Sequence, residues 1–221
     1  MHLLRCNCVV HIKINGRGLY NQYKNLMVEV YTMNINITTP LTKETIATLN
    51  AGDIVYITGE IYGARDAAHK KMIALVENGE SLPFDIRDQI IYYVGPCPPK
   101  PGQVIGSAGP TTSGRMDLYA PKLIELGLSG MIGKGARTQD VISAMKIYKS
   151  VYFGATGGAG SLLAKTIIKN EVIAFPDLGP EALRKLTVVN FPAIVIIDSF
   201  GANLYESGPL KYSRENSSKI Y

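Results

Sequence analysis

Thr111, Thr112 and Arg115 fall within one run, Gly109-Pro110-Thr111-Thr112-Ser113-Gly114-Arg115-Met116-Asp117, that follows a Pro/Gly-rich segment. Hydroxyl residues just ahead of a helical pattern are good N-caps. A helix start leaves backbone N–H groups unpaired at the positive end of the macrodipole, and that setting attracts anions. Arg115 is four residues after Thr111, so a helical turn brings its guanidinium toward the same place. An ordinary capped helix carrying a solvated Arg accounts for these residues equally well.

Further cations sit on other turns. Arg65 and His69 stand four apart in Gly63-Ala-Arg-Asp-Ala-Ala-His, on one face of a helix start. Lys134 lies between two glycines, where the backbone can approach a ligand closely. Singly, each has a bland reading: Arg65 paired to Asp66, Arg115 on a surface turn, Lys134 in solvent. Together, three cations and a hydroxyl pair suit a small dianion, with Arg giving bidentate contact to carboxylate.

The elements that must position these residues alternate. Residues 34–38 read as a short strand, and Thr42 with Thr45, Ile46 and Leu49 as a brief capped helix. Residues 53–63 read as a strand kinked at Gly59, residues 64–76 as a helix stopped by Asn78-Gly79, and residues 89–94 as a second strand. The Pro-dense run from Gly95 to Gly102 is a loop. Residues 118–127 have helical spacing. Beyond them come a strand at 130–133, a helix from Thr138 to Tyr148, a strand at 151–156 and a helix at Ser161–Lys169. Strands follow at 186–192, 193–198 and 204–205. The alternation makes the class α/β. One domain is expected over residues 33–210. Residues 1–32 are read as an appendage of a different character, from a translation start placed too early, and residues 211–221 as a frayed tail.

Composition narrows the function classes. The 221 residues are 46% hydrophobic and 19% charged, enough for one sizeable core. No apolar run approaches the roughly 18–20 residues needed to span a bilayer, and residues 1–10 lack the form of a secretory signal. Three scattered cysteines, Cys6, Cys8 and Cys97, fit a reducing cytoplasm better than a disulfide framework. The net charge is +5, of which the first 33 residues hold +3 through Arg5, Lys13, Arg17 and Lys24 against Glu29. No basic run interleaved with aromatics suggests a nucleic-acid groove. Gly154–Ser161 has neither P-loop nor dinucleotide spacing. His2, His11 and His69 form no ligand pair, so a metal held by this chain alone is not expected. No G-x-S-x-G elbow signals a Ser/His/Asp nucleophile.

The stretches Gly63–His69, Gly109–Asp117 and Gly130–Gly135, in that order, resemble the β-subunit, or C-terminal half, of class I fumarate hydratases and L-tartrate dehydratases. Residues 176–182 and 191–198 are similar too, and the resemblance covers roughly 36–210. It implies a single swivelling β/β/α domain. It implies an oxygen-sensitive 4Fe-4S cluster held by three cysteines of a separate α-subunit, which makes this chain half of a hetero-oligomer acting on a small dicarboxylate. It implies that Arg65, Arg115 and Lys134 grip the carboxylates, that Thr111 transfers the proton, and that Thr112 assists. Asp66 and His69 are expected to orient Arg65. The implied reaction is reversible hydration of fumarate to L-malate. The alternatives are dehydration of L-tartrate to oxaloacetate, and a non-catalytic anion-binding or assembly subunit.

Overall fold

Residues 34–211 are described in the computed structural model of the chain. The elements are β1 (Ile35–Thr38), α1 (Lys43–Ile46), β2 (Ile54–Gly63), α2 (Asp66–Glu77), β3 (Ile90–Tyr92), α3 (Ala120–Glu125) and β4 (Gly130–Gly133). They continue with α4 (Gln139–Tyr148), β5 (Val151–Gly154), α5 (Gly160–Lys165), β6 (Ile167–Ala174), β7 (Leu183–Ile197) and α6 (Leu204–Lys211). Two 3-10 turns span Ser113–Met116 and Pro176–Glu181.

The expected α/β alternation forms one mixed sheet in the order β1-β2-β3-β4-β5-β7-β6. β2 also pairs with β7, so β2, β3, β4, β5 and β7 close into a ring, with β1 and β6 attached to its outside. The long β7 makes the closure. Its first half lies between β6 and β2, and its second half lies between β2 and β5. Asn190, at φ 51°, kinks the strand between the halves without ending it; Asn tolerates this left-handed conformation better than most residues. Val189 and Asn190 together face Thr58 alone, a bulge in β7 that slips the register between Ile57 and Gly59 of β2, where Gly59 holds φ 125°.

Alternation along the short parallel strands builds two cores. Ile90, Tyr92, Ile132, Val151 and Phe153 point into the ring with Ile57, Leu186 and Phe191. Ile91, Met131 and Tyr152 point out and are covered by Met72 of α2, Leu123 of α3 and Met145 of α4. With both faces buried, these strands read as continuous apolar runs.

Three expectations are corrected. The helix expected to reach Lys169 ends at Lys165, and the β-branched Ile167 and Ile168 open β6, for which β7 supplies the antiparallel partner. The strands expected at 186–192 and 193–198 are one strand. Residues 204–205 begin α6 because Asn203 Oδ1 accepts from the Tyr205 N–H at 3.1 Å and caps a helix there. The appendage expected over residues 1–32 lies outside the described residues, as does the expected tail apart from Lys211. No helix among the described residues is long and apolar enough to cross a membrane.

Candidate active site

β2, β3, β4 and β5 run parallel. Their carboxyl ends therefore meet at one edge of the ring, where parallel α/β sheets commonly hold ligands. β2 ends at Gly63 and delivers Arg65 to the start of α2. β4 ends at Gly133 and delivers Lys134; β5 ends at Gly154 and delivers Gly157. The Lys134 side chain is exposed and leans over Gly157, with Nζ 3.8 Å from the place a Cβ there would take.

The Thr111–Ser113 stretch enters this edge as extended chain. The Thr111 N–H donates to the Tyr93 carbonyl at 2.8 Å, and the Lys134 N–H donates to the Thr111 carbonyl at 3.3 Å. The Ser113 N–H donates to the Lys134 carbonyl at 2.8 Å, completing a parallel bridge between Thr112 and Lys134. The helix N-terminus expected here is absent. Thr112 precedes only a four-residue 3-10 turn and makes no side-chain cap, and α3 begins at Ala120. The N–H groups of Thr111 and Ser113 are already taken by the Tyr93 and Lys134 carbonyls, so those two are not the open donors of a helix start.

Those side chains are tied together by Asp66. Its Oδ2 lies 3.1 Å from Arg65 Nε, and its Oδ1 lies 3.3 Å from Arg115 Nε. Arg115 Nη2 donates to Thr111 Oγ1. Glu181 Oε1 reaches Arg65 Nη2 at 3.4 Å, while its Oε2 accepts from the Ala67 N–H at 3.0 Å. Arg65 needs the bare backbone of Gly95, because a Cβ there would stand 2.8 Å from Nη1. Lys134 pairs with no carboxylate among the described residues. The edge thus carries three cations and two carboxylates. Arg65, Asp66, Arg115 and Thr111 are linked through side chains, and Lys134 and Thr112 join them through the backbone. Thr112 is exposed.

His69 is fully buried, and its Nδ1 donates to the Arg65 carbonyl at 2.9 Å. Its Nε2 has no partner, and the ring stands edge-on to Tyr93. Burial above all, with the nearby Arg137 charge, holds this imidazole down to about 4, so it is neutral at pH 7.

Sequence reasoning missed the pair beneath. Arg137 Nε lies 2.7 Å from Asp117 Oδ1, both side chains almost wholly buried, and Asp117 Oδ2 accepts from the Thr138 N–H at 2.6 Å. The Arg137 guanidinium stacks over Tyr93 and Tyr152 at 5.4 and 5.0 Å. Burial opposes its charge, but Tyr93 and Asp117 outweigh burial and hold the group above its ordinary range. Ser113 Oγ donates to Tyr152 Oη at 2.9 Å, and Tyr152 Oη donates to the Gly135 carbonyl at 2.9 Å. Gly133 has no room for a side chain because that Ser113 hydroxyl fills the space. Asp117 closes the motif read from sequence, but nothing in the spacing pairs it with Arg137.

Among the described residues, no group of three His, Cys, Asp or Glu side chains is placed to hold a metal. Cys97, their one cysteine, is exposed and unbonded. This donor set does not fit the role of holding a 4Fe-4S cluster.

Comparison with known proteins gives consistent matches. The family model described as Fumarase C-terminus matches residues 14–208. A Methanocaldococcus jannaschii protein, provisionally named L(+)-tartrate dehydratase subunit beta, is 42% identical over 182 residues, 80% of this chain and 91% of that protein. The aerobic class I fumarate hydratase of Escherichia coli K12 is 38% identical over 179 residues, 79% of this chain but 32% of that protein. Fumarate hydratase 2 of Leishmania major is 36% identical over 208 residues, 87% of this chain and 37% of that protein. The chain spans most of the first relative and about a third of the other two.

Proposed function

The chain belongs to the fumarase C-terminus family, and from that premise we propose that it is the β-subunit of a two-subunit hydro-lyase that hydrates fumarate to L-malate reversibly. The observation that carries the reading is the Asp66 bridge. It gathers Arg65, Arg115 and Thr111 at the edge where Lys134 also emerges.

Asp66 binds each arginine at Nε; with Nη2 of Arg65 on Glu181 and Nη2 of Arg115 on Thr111, the remaining terminal N–H groups are assigned the substrate carboxylates. The substrate is a four-carbon dicarboxylate. Addition of water across its double bond puts a proton on one carbon and a hydroxide on the next. In the reverse direction a base removes the proton next to a carboxylate, and negative charge spreads onto that carboxylate. Arg65, Arg115 and Lys134 meet that charge, stabilising the transition state more than the ground state.

Thr111 is assigned the proton transfer. A threonine hydroxyl is a poor base unaided, but Arg115 donates to its oxygen. A cationic donor favours the ionised oxygen over the neutral hydroxyl. His69 and Asp66 hold Arg65, the first through the backbone carbonyl and the second through Nε. Thr112, exposed beside Lys134, is assigned a supporting part in seating the substrate.

The cations lie on an open face, with Arg115 45% exposed. A partner α-subunit is assigned the closing of that face, and three of its cysteines are assigned the 4Fe-4S cluster. When bound, such a cluster supplies Lewis acidity toward the substrate hydroxyl and carboxylate. The assembly is a cytoplasmic hetero-oligomer, inactive as this chain alone.

L-Tartrate is a second substrate reading, favoured by one observation: the relative that this chain spans almost completely is named for it. The deciding experiment is co-expression with a cysteine-bearing partner, anaerobic cluster reconstitution, and assay of fumarate against L-tartrate. Turnover by the purified chain alone would refute the two-subunit reading. Dicarboxylate binding without turnover in the reconstituted pair would favour a binding subunit.

A further inference from the structure

A further cation stands behind this edge with no carboxylate partner among the described residues. Arg184, on β7, is paired in register with Gly63 of β2. Its Nη1 donates to Asn170 Oδ1 at 3.3 Å and its Nη2 to the Gly179 carbonyl at 3.2 Å. Its Nε is buried with no partner. No carboxylate pairs with it among the described residues, so it differs from Arg65, Arg87, Arg115 and Arg137, each of which has one. Burial alone pushes its titration below the ordinary range, with no opposing charge to restore it. A guanidinium offers five N–H donors, and among the described residues two are taken.

This side chain lines a cavity of about 270 Å3, together with Cys97, Asn170, Pro180 and the Pro98-Pro99 run. Among the described residues no Asp or Glu lines it. Pockets for drug-sized ligands run from roughly 300 to 1,000 Å3, so this one suits something smaller. The proline walls contribute no backbone N–H donors, which leaves Arg184 as the charged recognition group. A partly buried cation without a counter-charge is costly, and an oxyanion docked on the guanidinium fork removes that cost.

We propose that this cavity is a binding site for a small oxyanion, carboxylate or phosphate, held by Arg184 and separate from the Arg65–Arg115–Lys134 cluster. Pro180, which lines the cavity, precedes Glu181, the residue that pairs with Arg65. The proposal does not depend on the hydro-lyase reading, since it concerns binding by this chain.

Cys97 gives a local reporter. In the full chain with Cys6 and Cys8 replaced by Ser, Cys97 is the single thiol. Its alkylation by iodoacetamide, an uncharged reagent, is followed by mass spectrometry at constant ionic strength. Inorganic phosphate is added in one arm and succinate in the other. The expected result is saturable slowing in at least one arm, which also identifies the oxyanion. Arg184→Met should raise the half-protecting concentration at least about tenfold, the scale of one lost charge-assisted contact. Arg184→Lys, which keeps the charge without the fork, should recover part of the protection and covers the case in which Arg184→Met does not fold. Arg115→Ala should leave the protection intact. Absence of protection in both arms overturns the proposal. So does protection that survives Arg184→Met, or that disappears in Arg115→Ala.

Discussion

Asp66 Oδ1 stands 3.3 Å from Arg115 Nε, joining the start of α2 to the 3-10 turn after Thr111. The other oxygen of the same carboxylate holds Arg65 at 3.1 Å. One carboxylate thereby fixes the spacing of two guanidinium groups before any ligand arrives.

Asp66→Asn keeps the size of the side chain and removes the charge that aims both forks. Partly exposed ion pairs of this sort contribute about 0–1 kcal/mol, so the melting temperature should hardly move. Catalysis is expected to fall further, because misplacing positioning groups by about 1 Å can cost about 100-fold. The check is kcat/KM of the reconstituted pair beside thermal unfolding of this chain. A kcat/KM near wild type would mean that the arginines need no bridge.

Arg115→Ala removes the donor to Thr111 Oγ1 and, with it, the proposed clamp on a substrate carboxylate. It should lower kcat by about 100- to 1,000-fold, the usual loss on removing one preorganised donor to a developing charge. KM should rise as well. An effect confined to KM would reduce Arg115 to uniform binding.

Most of this edge was legible from sequence because motif residues lie beside glycines and strand ends. Gly63, Gly133 and Gly154 each close a parallel strand. The short apolar runs of β3, β4 and β5 read correctly as strands, since burial on both faces makes them uniformly hydrophobic. Long-range pairing was not legible. The closure of β2 on β7, the Glu181–Arg65 contact and the Arg137–Asp117 pair depend on where distant segments arrive. The hydroxyls at Thr111 and Thr112 misled for a related reason. Their local pattern fits a helix cap, but the carbonyls of Tyr93 and Lys134 claim the neighbouring N–H groups first.

His69 should leave a signature in stability against pH. Its value in the fold is about 4, against an ordinary 6.5, so between those limits the unfolded chain binds the proton more readily. Stability from keeping it neutral is therefore complete above about pH 6.5 and lost as pH falls toward 4. The full shift corresponds to about 3 kcal/mol. His69→Gln cannot titrate and keeps an N–H donor for the Arg65 carbonyl. Its urea midpoints from pH 7 to pH 4 should decline less than those of the wild type. Parallel curves would show that His69 does not govern the acid limb.

The buried pair is expected to couple more strongly than any surface pair. Asp117→Ala strands the Arg137 charge and uncaps the Thr138 N–H at the start of α4. Breaking such a pair from one side typically costs about 3–5 kcal/mol. Arg137→Met removes the charge and the stack between Tyr93 and Tyr152 while retaining apolar bulk. Combining the two should cost less than the sum of the single changes, because no charge is then left buried alone. Urea unfolding of the wild type, both single variants and the double variant completes the cycle. A coupling energy near zero would mean that solvent reaches Arg137 in solution, and that the Asp117 motif is anchored by the Thr138 cap rather than by the ion pair.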